Sequence, residues 1–305
     1  MKTLVVYFDE EPKMGYPFDV REYYDSYRYF SELCAKNGVQ LILVRHPSQY
    51  LGGMQFASGW KYAGTELERV THMITADVVY MKGTHLRMTE GANVVNRTEL
   101  TEICKDKFKT YELFSEFMSP TFLLTEENAA DVMKKITTDK VVIKPVTGTE
   151  GRGIVIVAPQ EFSYDMLEPH KPYIAQEFVD CSEGMPGIMK GLHDLRMYIY
   201  NGVAGFAEYR QPKQGSYLAN IAQGGSLTVL DPQTLPQWAL DFVPQIDSKF
   251  TQFTPRIYTI DLMYANGRPY LVELNSQPGM PWSDWEYFTP MQQKIFETLM
   301  SACNS

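Results

Sequence analysis

The chain has 305 residues, a formal charge of −9 and 44% hydrophobic residues, enough for two or three domains around a substantial core. Its acidic balance argues against a nucleic-acid scaffold, which needs a basic surface, while leaving room for a local basic pocket. Four cysteines (Cys34, Cys104, Cys181 and Cys303) show no CxxC spacing and read as free thiols of a cytoplasmic protein; the N-terminal apolar run is too short for a signal sequence, and no run approaches membrane-spanning length.

Residues 4–8 read as a buried strand. A helix follows over about 20–36, where Tyr23, Tyr27, Phe30 and Cys34 recur at helical spacing and Asn37-Gly38 supplies the stop. Residues 39–44 and 77–81 read as further strands, and strand–helix–strand order predicts a small α/β layer with parallel strands. No GxGxxG turn follows the first strand, so dinucleotide binding is not expected there. Residues 102–117 predict a helix ended by Ser119-Pro120. Strand 121–124, helix 126–136, strand 141–144, a Gly-rich turn and strand 154–157 then form a compact α+β unit. Strands at 173–179, 194–200 and 203–210, a helix near 236–250 and a hairpin over 257–279 complete the chain, with no internal repeat.

The closing hairpin carries the densest chemistry. Ile260, Leu262, Tyr264, Tyr270, Val272 and Leu274 predict an apolar face, leaving Asp261, Glu273 and Asn275 on the other. Three oxygen ligands on one face suit a hard cation such as Mg²⁺ whose remaining ligands come from phosphate. A two-residue Asn266-Gly267 loop would set Asp261 opposite Val272 and send Glu273 to the wrong face. The expected loop is therefore Ala265-Asn266-Gly267, with Gly267 in the left-handed region. An ordinary amphipathic hairpin with a polar outer face is the plainer alternative.

Upstream, Lys144-Pro145 ends a β-branched strand, and Gly148, Thr149, Glu150, Gly151, Arg152 and Gly153 follow. Glycines let backbone N–H groups close on phosphate oxygens, although a tight hairpin has the same composition. Gln176-Glu177 sits in an apolar strand, with Phe178 and Val179 after it and Glu183 beyond. Asp194-Leu195-Arg196 and Arg210 lie on neighbouring strands, where two converging guanidinium groups suit phosphate or carboxylate oxygens.

The order of these parts, from Lys107 through the strand lysine and Gly-rich turn, the QE strand, D-x-R, an arginine with N-x-x-x-G-G, and D…E-x-N, resembles the ATP-grasp superfamily. It is most similar to the glutathione synthetase-like and ribosomal-protein glutamate ligase-like members, over about residues 94–279. The resemblance implies an α/β (α+β) ATP-grasp fold: an N-terminal pre-ATP-grasp domain (1–100), a central lid subdomain (101–175) and a C-terminal antiparallel-sheet subdomain with the metal site (176–305). It further implies that Lys107 and Lys144 contact the nucleotide and that residues 148–153 close over its phosphates. Gln176, Glu177, Phe178 and Val179 would form the adenine hinge, with Glu177 and Glu183 as polar contacts, and Asn220 would join the nucleotide site. Arg196 and Arg210 would stabilise the transferred phosphoryl group. Asp261, Glu273 and Asn275 would hold two Mg²⁺ ions, or Mn²⁺ in their place, with Glu273 bridging.

The implied reaction is ATP-dependent joining of a carboxylate to an amine through an acyl phosphate, on an amino acid, small peptide or peptide tail, by a homo-oligomer bound to neither nucleic acid nor membrane. A non-catalytic ATP-binding protein and a hydroxyl kinase are the rival readings on the same fold. Two positions depart from relatives: residues 216–219 lack a common basic residue, and His193 replaces a common glycine. No general base stands out. Tyr16, Tyr23, Tyr24, Tyr27 and Tyr29, with Arg87 and Arg97, read either as an acceptor surface or as helix packing and solvent-facing arginines.

Overall fold

The computed structural model describes residues 1–305 except 11–14, 89–90, 149–150, 220–223 and 305. The first layer starts with β1 (Lys2–Phe8), α1 (Arg21–Lys36) and β2 (Val39–Arg45). Leu4, Val5, Val6 and Tyr7 are all fully buried. A continuous apolar run of this kind marks a strand covered on both faces, as parallel strands are. One cover is α1, which buries Tyr27, Phe30 and Cys34. Short strands β3 (Tyr50–Gly52), β4 (Gln55–Phe56), β5 (Gly59–Ala63), β6 (Glu66–Val70) and β7 (Ile74–Thr75) follow in a stretch where the sequence shows no clear period. β8 (Val78–Met81) and β9 (Val94–Val95) complete a sheet of order β6-β5-β2-β1-β8-β9, while β3, β4 and β7 make a small sheet of their own. β1 runs parallel to both β2 and β8, as expected, and β9 runs parallel to β8.

The helix expected over 102–117 is two helices, α2 (Thr98–Lys105) and α3 (Lys107–Phe114). Asp106 adopts an extended conformation between them, and its carboxylate accepts from the N–H groups of Phe108 and Lys109, both at 3.0 Å. Asp is a strong N-cap, and here it outweighs the helical periodicity of the flanking residues. The expected helix 126–136 is shortened to α4 (Ala129–Lys135). Thr125 and Asn128 bond each other's backbone N–H groups and hold the preceding residues in a turn.

A four-stranded antiparallel sheet, β10-β13-β11-β12, is built from β10 (Thr121–Leu124), β11 (Val141–Pro145), β12 (Val155–Val157) and β13 (Tyr173–Glu177). The last sheet, β16-β15-β14-β17-β18, uses β14 (Asp194–Tyr200), β15 (Val203–Gln211), β16 (Ser226–Leu230), β17 (Ile257–Ala265) and β18 (Arg268–Asn275). Its covers include α5 (Gln237–Asp247) and, on the side of the first layer, α6 (Phe288–Ser301). Among the described residues no helix is long and apolar enough to cross a membrane, and all four cysteines are free.

The closing hairpin corrects the three-residue loop. Ala265 pairs with Arg268, so the turn is Asn266-Gly267 alone, with both residues at positive φ (52° and 74°). That is the backbone a two-residue type I′ turn demands. The register then slips between Asp261 and Leu262: Leu262 faces Leu271, but Asp261 faces Glu273. Val272 is the extra residue of a β-bulge. The bulge returns Glu273 to the side of Asp261, which the longer loop was invoked to do. It also corrects the apolar face, because Leu271 and Leu274 are the buried residues of β18, while Tyr270 and Val272 are only half-buried.

Candidate active site

An open cleft runs between the four-stranded and five-stranded sheets, and its empty space, solvent mouth included, is about 980 Å³. Strand alternation builds one wall: Val141 and Ile143 of β11 are fully buried, while Val142 and Lys144 line the cleft. Lys144 donates to Gln176 Oε1 at 2.8 Å, and Gln176 Nε2 donates to Thr121 Oγ1 at 2.9 Å. Burial lowers the Lys144 pKa to about 8, the nearby Glu273 opposing that shift. Ile154, Ile156, Met263 and Leu271 add apolar walls. Phe178 meets Tyr217 edge-on at 5.3 Å, and Lys140 lies over both rings.

Across the five-stranded sheet, four charged residues fall in one register row: Glu208 opposite Arg196, Arg196 opposite Asp261, and Asp261 opposite Glu273. Arg196 grips Asp261 with two bonds, Nε–Oδ1 at 2.8 Å and Nη2–Oδ2 at 2.7 Å. Arg210 donates to Asp194 Oδ2 at 2.6 Å and to Asp261 Oδ2 at 2.9 Å. Burial by itself would raise the Asp261 pKa, but Arg196 and Arg210 outweigh it and hold the carboxyl below its usual range. Asp194 shifts the other way: its burial outweighs Arg210, and its Oδ1 has no partner. Glu208 is 3% exposed and receives the Tyr198 hydroxyl at 3.2 Å; burial, only partly offset by Arg196, raises its pKa.

Lys107, placed by the Asp106 break, stands 3.1 Å from Glu273 Oε1 and donates to the Gly148 carbonyl at 2.8 Å. Asn275 lies two register positions from the acidic pair, opposite Thr259, and its Oδ1 accepts from Gln277 N at 2.8 Å. Among the described residues no group of three or more His, Cys, Asp or Glu forms a metal cage. Two carboxylates and one amide at the edge of an open cleft suit Mg²⁺, which commonly binds through few protein oxygens plus phosphate. The Lys107 ammonium beside Glu273 marks where positive charge is favoured.

The model of the RimK-like ATP-grasp domain matches residues 104–299, more than half of the chain. The chain belongs to the RimK-like ATP-grasp family. A probable alpha-L-glutamate ligase of Legionella pneumophila (strain Corby) is 25% identical over 223 residues, covering 70% of this chain and 69% of that protein. D-alanine–D-alanine ligase from Bacillus anthracis has the same fold, with a TM-score of 0.62 at 12% identity over 100% of this chain and 99% of that one. So does the ATP-grasp ligase PsnB, solved with a phosphomimetic variant of its minimal precursor, Mg and ADP, with a TM-score of 0.60 at 11% identity over 98% of both chains. The fold class is therefore the ATP-grasp fold, and the chain is an enzyme of the class that forms carbon–nitrogen bonds.

Against this family frame, Lys107, Lys144, Gly148, Gly151, Gln176, Glu177, Phe178, Val179, Asp261 and Glu273 all line the cleft. Arg196, Arg210 and Asn275 adjoin it through the bonds and register given above. Thr149, Glu150 and Asn220 lie outside the described residues. Gly153, at φ 72°, packs where an added Cβ would meet Pro145 at 3.1 Å. Two of the expected polar contacts are placed differently from the rest. Glu183 is exposed and does not line the cleft. The Glu177 side chain is committed to Thr137, accepting from its N–H at 2.7 Å and its hydroxyl at 2.6 Å. The sequence reading missed Tyr217 and the outward residues of β11 and the 154–156 segment, whose only signal was their alternation with buried neighbours.

Proposed function

We propose that this ATP-grasp enzyme is an ATP- and Mg²⁺-dependent carboxylate–amine ligase working through an acyl phosphate. The observation that carries the reading is the row Arg196–Asp261–Glu273 beside Lys144, which gathers phosphate-binding cations and cation-binding carboxylates at one end of an apolar cleft. The adenine would lie against Phe178 and Tyr217, and the phosphates would extend toward Lys107 and Lys144. Bound Mg²⁺, held by Asp261, Glu273 and Asn275, would neutralise charge on the phosphates. Arg196 and Arg210, already oriented by Asp261 and Asp194, need no rearrangement to stabilise charge as it develops. A substrate carboxylate oxygen attacks the γ-phosphorus and ADP leaves. The amine nitrogen then attacks the acyl carbon, phosphate leaves, and one proton is released. Residues 148–153 would keep water from the acyl phosphate.

The same proposal divides the chain near residues 100 and 175 into N-terminal, lid and metal-bearing parts. The probable glutamate ligase relatives, and a macrocyclase of the same fold solved with its precursor peptide, support an amino acid and a peptide or protein tail as the molecules joined.

The test is hydroxylamine trapping with ATP, Mg²⁺ and a panel of carboxylates. A hydroxamate together with stoichiometric ADP is the expected product. A stable phosphorylated alcohol would overturn the ligase in favour of a kinase, and nucleotide binding without turnover would favour a binding protein. Glu273→Gln should lower turnover by about a hundredfold or more while leaving the melting temperature near that of the parent.

A further inference from the structure

The parallel sheet of the N-terminal layer has a feature that the nucleotide cleft does not use. The chain passes from β1 to β2 on one side and then crosses to β8 on the other, so the strand order reverses between β1 and β8. Sheets of this kind bind ligands outside the carboxyl ends of their strands at such a point. Lys82 leaves the carboxyl end of β8. β9 runs beside β8 and ends at Val95, two residues before Arg97.

This edge abuts the reaction end of the cleft. Lys82 Nζ donates to the Pro278 carbonyl, and Gln277 donates to the Gly83 carbonyl, both in the segment directly after Asn275. Asn96, next to Arg97, donates to the Ser276 carbonyl. Among the described residues neither Lys82 nor Arg97 takes part in an ion pair. The Lys82 ammonium lies 4.3 Å from the centre of the Tyr80 ring and is pushed down to about 7 by burial. Arg97 is half-buried and its Nε is a buried donor with no acceptor. By contrast, neighbouring Arg87 is paired with Glu102. A buried donor left without an acceptor destabilises the fold, and an isolated cation more so, unless a ligand supplies the oxygens.

We propose that Lys82 and Arg97 form the subsite that holds a non-reacting carboxylate of a free amino-acid substrate, with the rest of that substrate directed across Gln277 toward Asn275. The inference rests on the ligase reading and names the class of one partner: an amino acid with its own carboxylate free, in place of a peptide tail joined through an internal residue. Arg supplies a planar fork and Lys a point charge, a combination suited to one carboxylate.

The test is calorimetric titration of the full chain, in ADP and Mg²⁺, with a panel of free amino acids led by L-glutamate and with their amides. Wild type should bind at least one free amino acid and lose about tenfold or more in affinity when the held carboxylate becomes an amide. Arg97→Gln and Lys82→Met should each abolish that discrimination, leave ADP affinity unchanged and keep the melting temperature. Arg97→Lys should restore part of it. Amino-acid binding that ignores these substitutions, or no amino-acid binding while ADP binds, overturns the subsite. Failure of ADP to bind would instead overturn the ligase reading itself.

Discussion

His193 shows how a single position is tuned for the site without touching a ligand. It is 1% exposed, and Tyr264 N–H donates to its Nε2 at 3.0 Å, so the proton sits on Nδ1, which donates to the Gly191 carbonyl at 3.0 Å. Both nitrogens are satisfied only in the neutral ring, and burial lowers the pKa. A folded pKa below the unfolded value of about 6.5 means that the unfolded chain binds the extra proton first. The stability this residue contributes is thus present above about pH 6.5 and lost as pH falls through the lower folded value. Urea unfolding at pH 5, 6 and 7.5 should show a steeper acid loss for the parent than for His193→Gln, which cannot titrate; equal slopes would contradict it. Asp261 is the other residue whose role depends on neighbours: burial alone would disfavour its charge, and only the fork of Arg196 and the contact of Arg210 keep it ionised.

At the scale of elements, the hairpin β17–β18 is the most instructive. Its two strands and its acidic face were legible, because Asp261, Glu273 and Asn275 stand out among apolar neighbours, but its turn was not: keeping the acids on one face favours a three-residue loop over the Asn-Gly signal. The bulge at Val272 was not legible, because regular alternation has no symbol for an inserted residue. The turn itself yields a prediction. Gly267→Val places a β-branched residue at φ 74°, where its Cβ crowds the following carbonyl, and should cost about 1–2 kcal/mol in denaturant unfolding. A cost near zero would mean that the turn relaxes to another type. The split of α2 from α3 has a similar origin: the helical period of residues 102–117 was visible, but the choice of Asp106 as a cap depends on packing that orients Lys107 toward Glu273.

Across the whole molecule, Asn96 ties the first layer to the β17–β18 hairpin. It is 1% exposed; its Oδ1 accepts from Ile257 N at 2.8 Å, and its Nδ2 donates to the carbonyls of Ile257 and Ser276. Asn96→Ala would strand a buried donor and buried acceptors, so unfolding stability should fall by roughly 3 kcal/mol or more. Turnover should fall with it, since Ser276 follows Asn275 directly. Retention of parental stability would mean that water replaces the amide. The aromatic residues of α1 divide along the same junction: Tyr27 packs in the core, whereas Tyr23 meets Tyr16 and Trp282 edge-on beside the 276–282 segment.

The sequence by itself determined the parallel start, the order of the parts that carry the family resemblance and the acidic face of the closing hairpin, because apolar periodicity and charged residues in order along the chain are local properties. Tertiary structure decided the rest. It turned Glu177 toward Thr137 and left Glu183 in solvent. It set Glu208, Arg196, Asp261 and Glu273 in one row, and it brought Lys82 and Asn96 onto the 276–278 segment from the edge of a different sheet. Register, bulges and the meeting of two layers depend on contacts between residues far apart in the chain, and no local pattern encodes those.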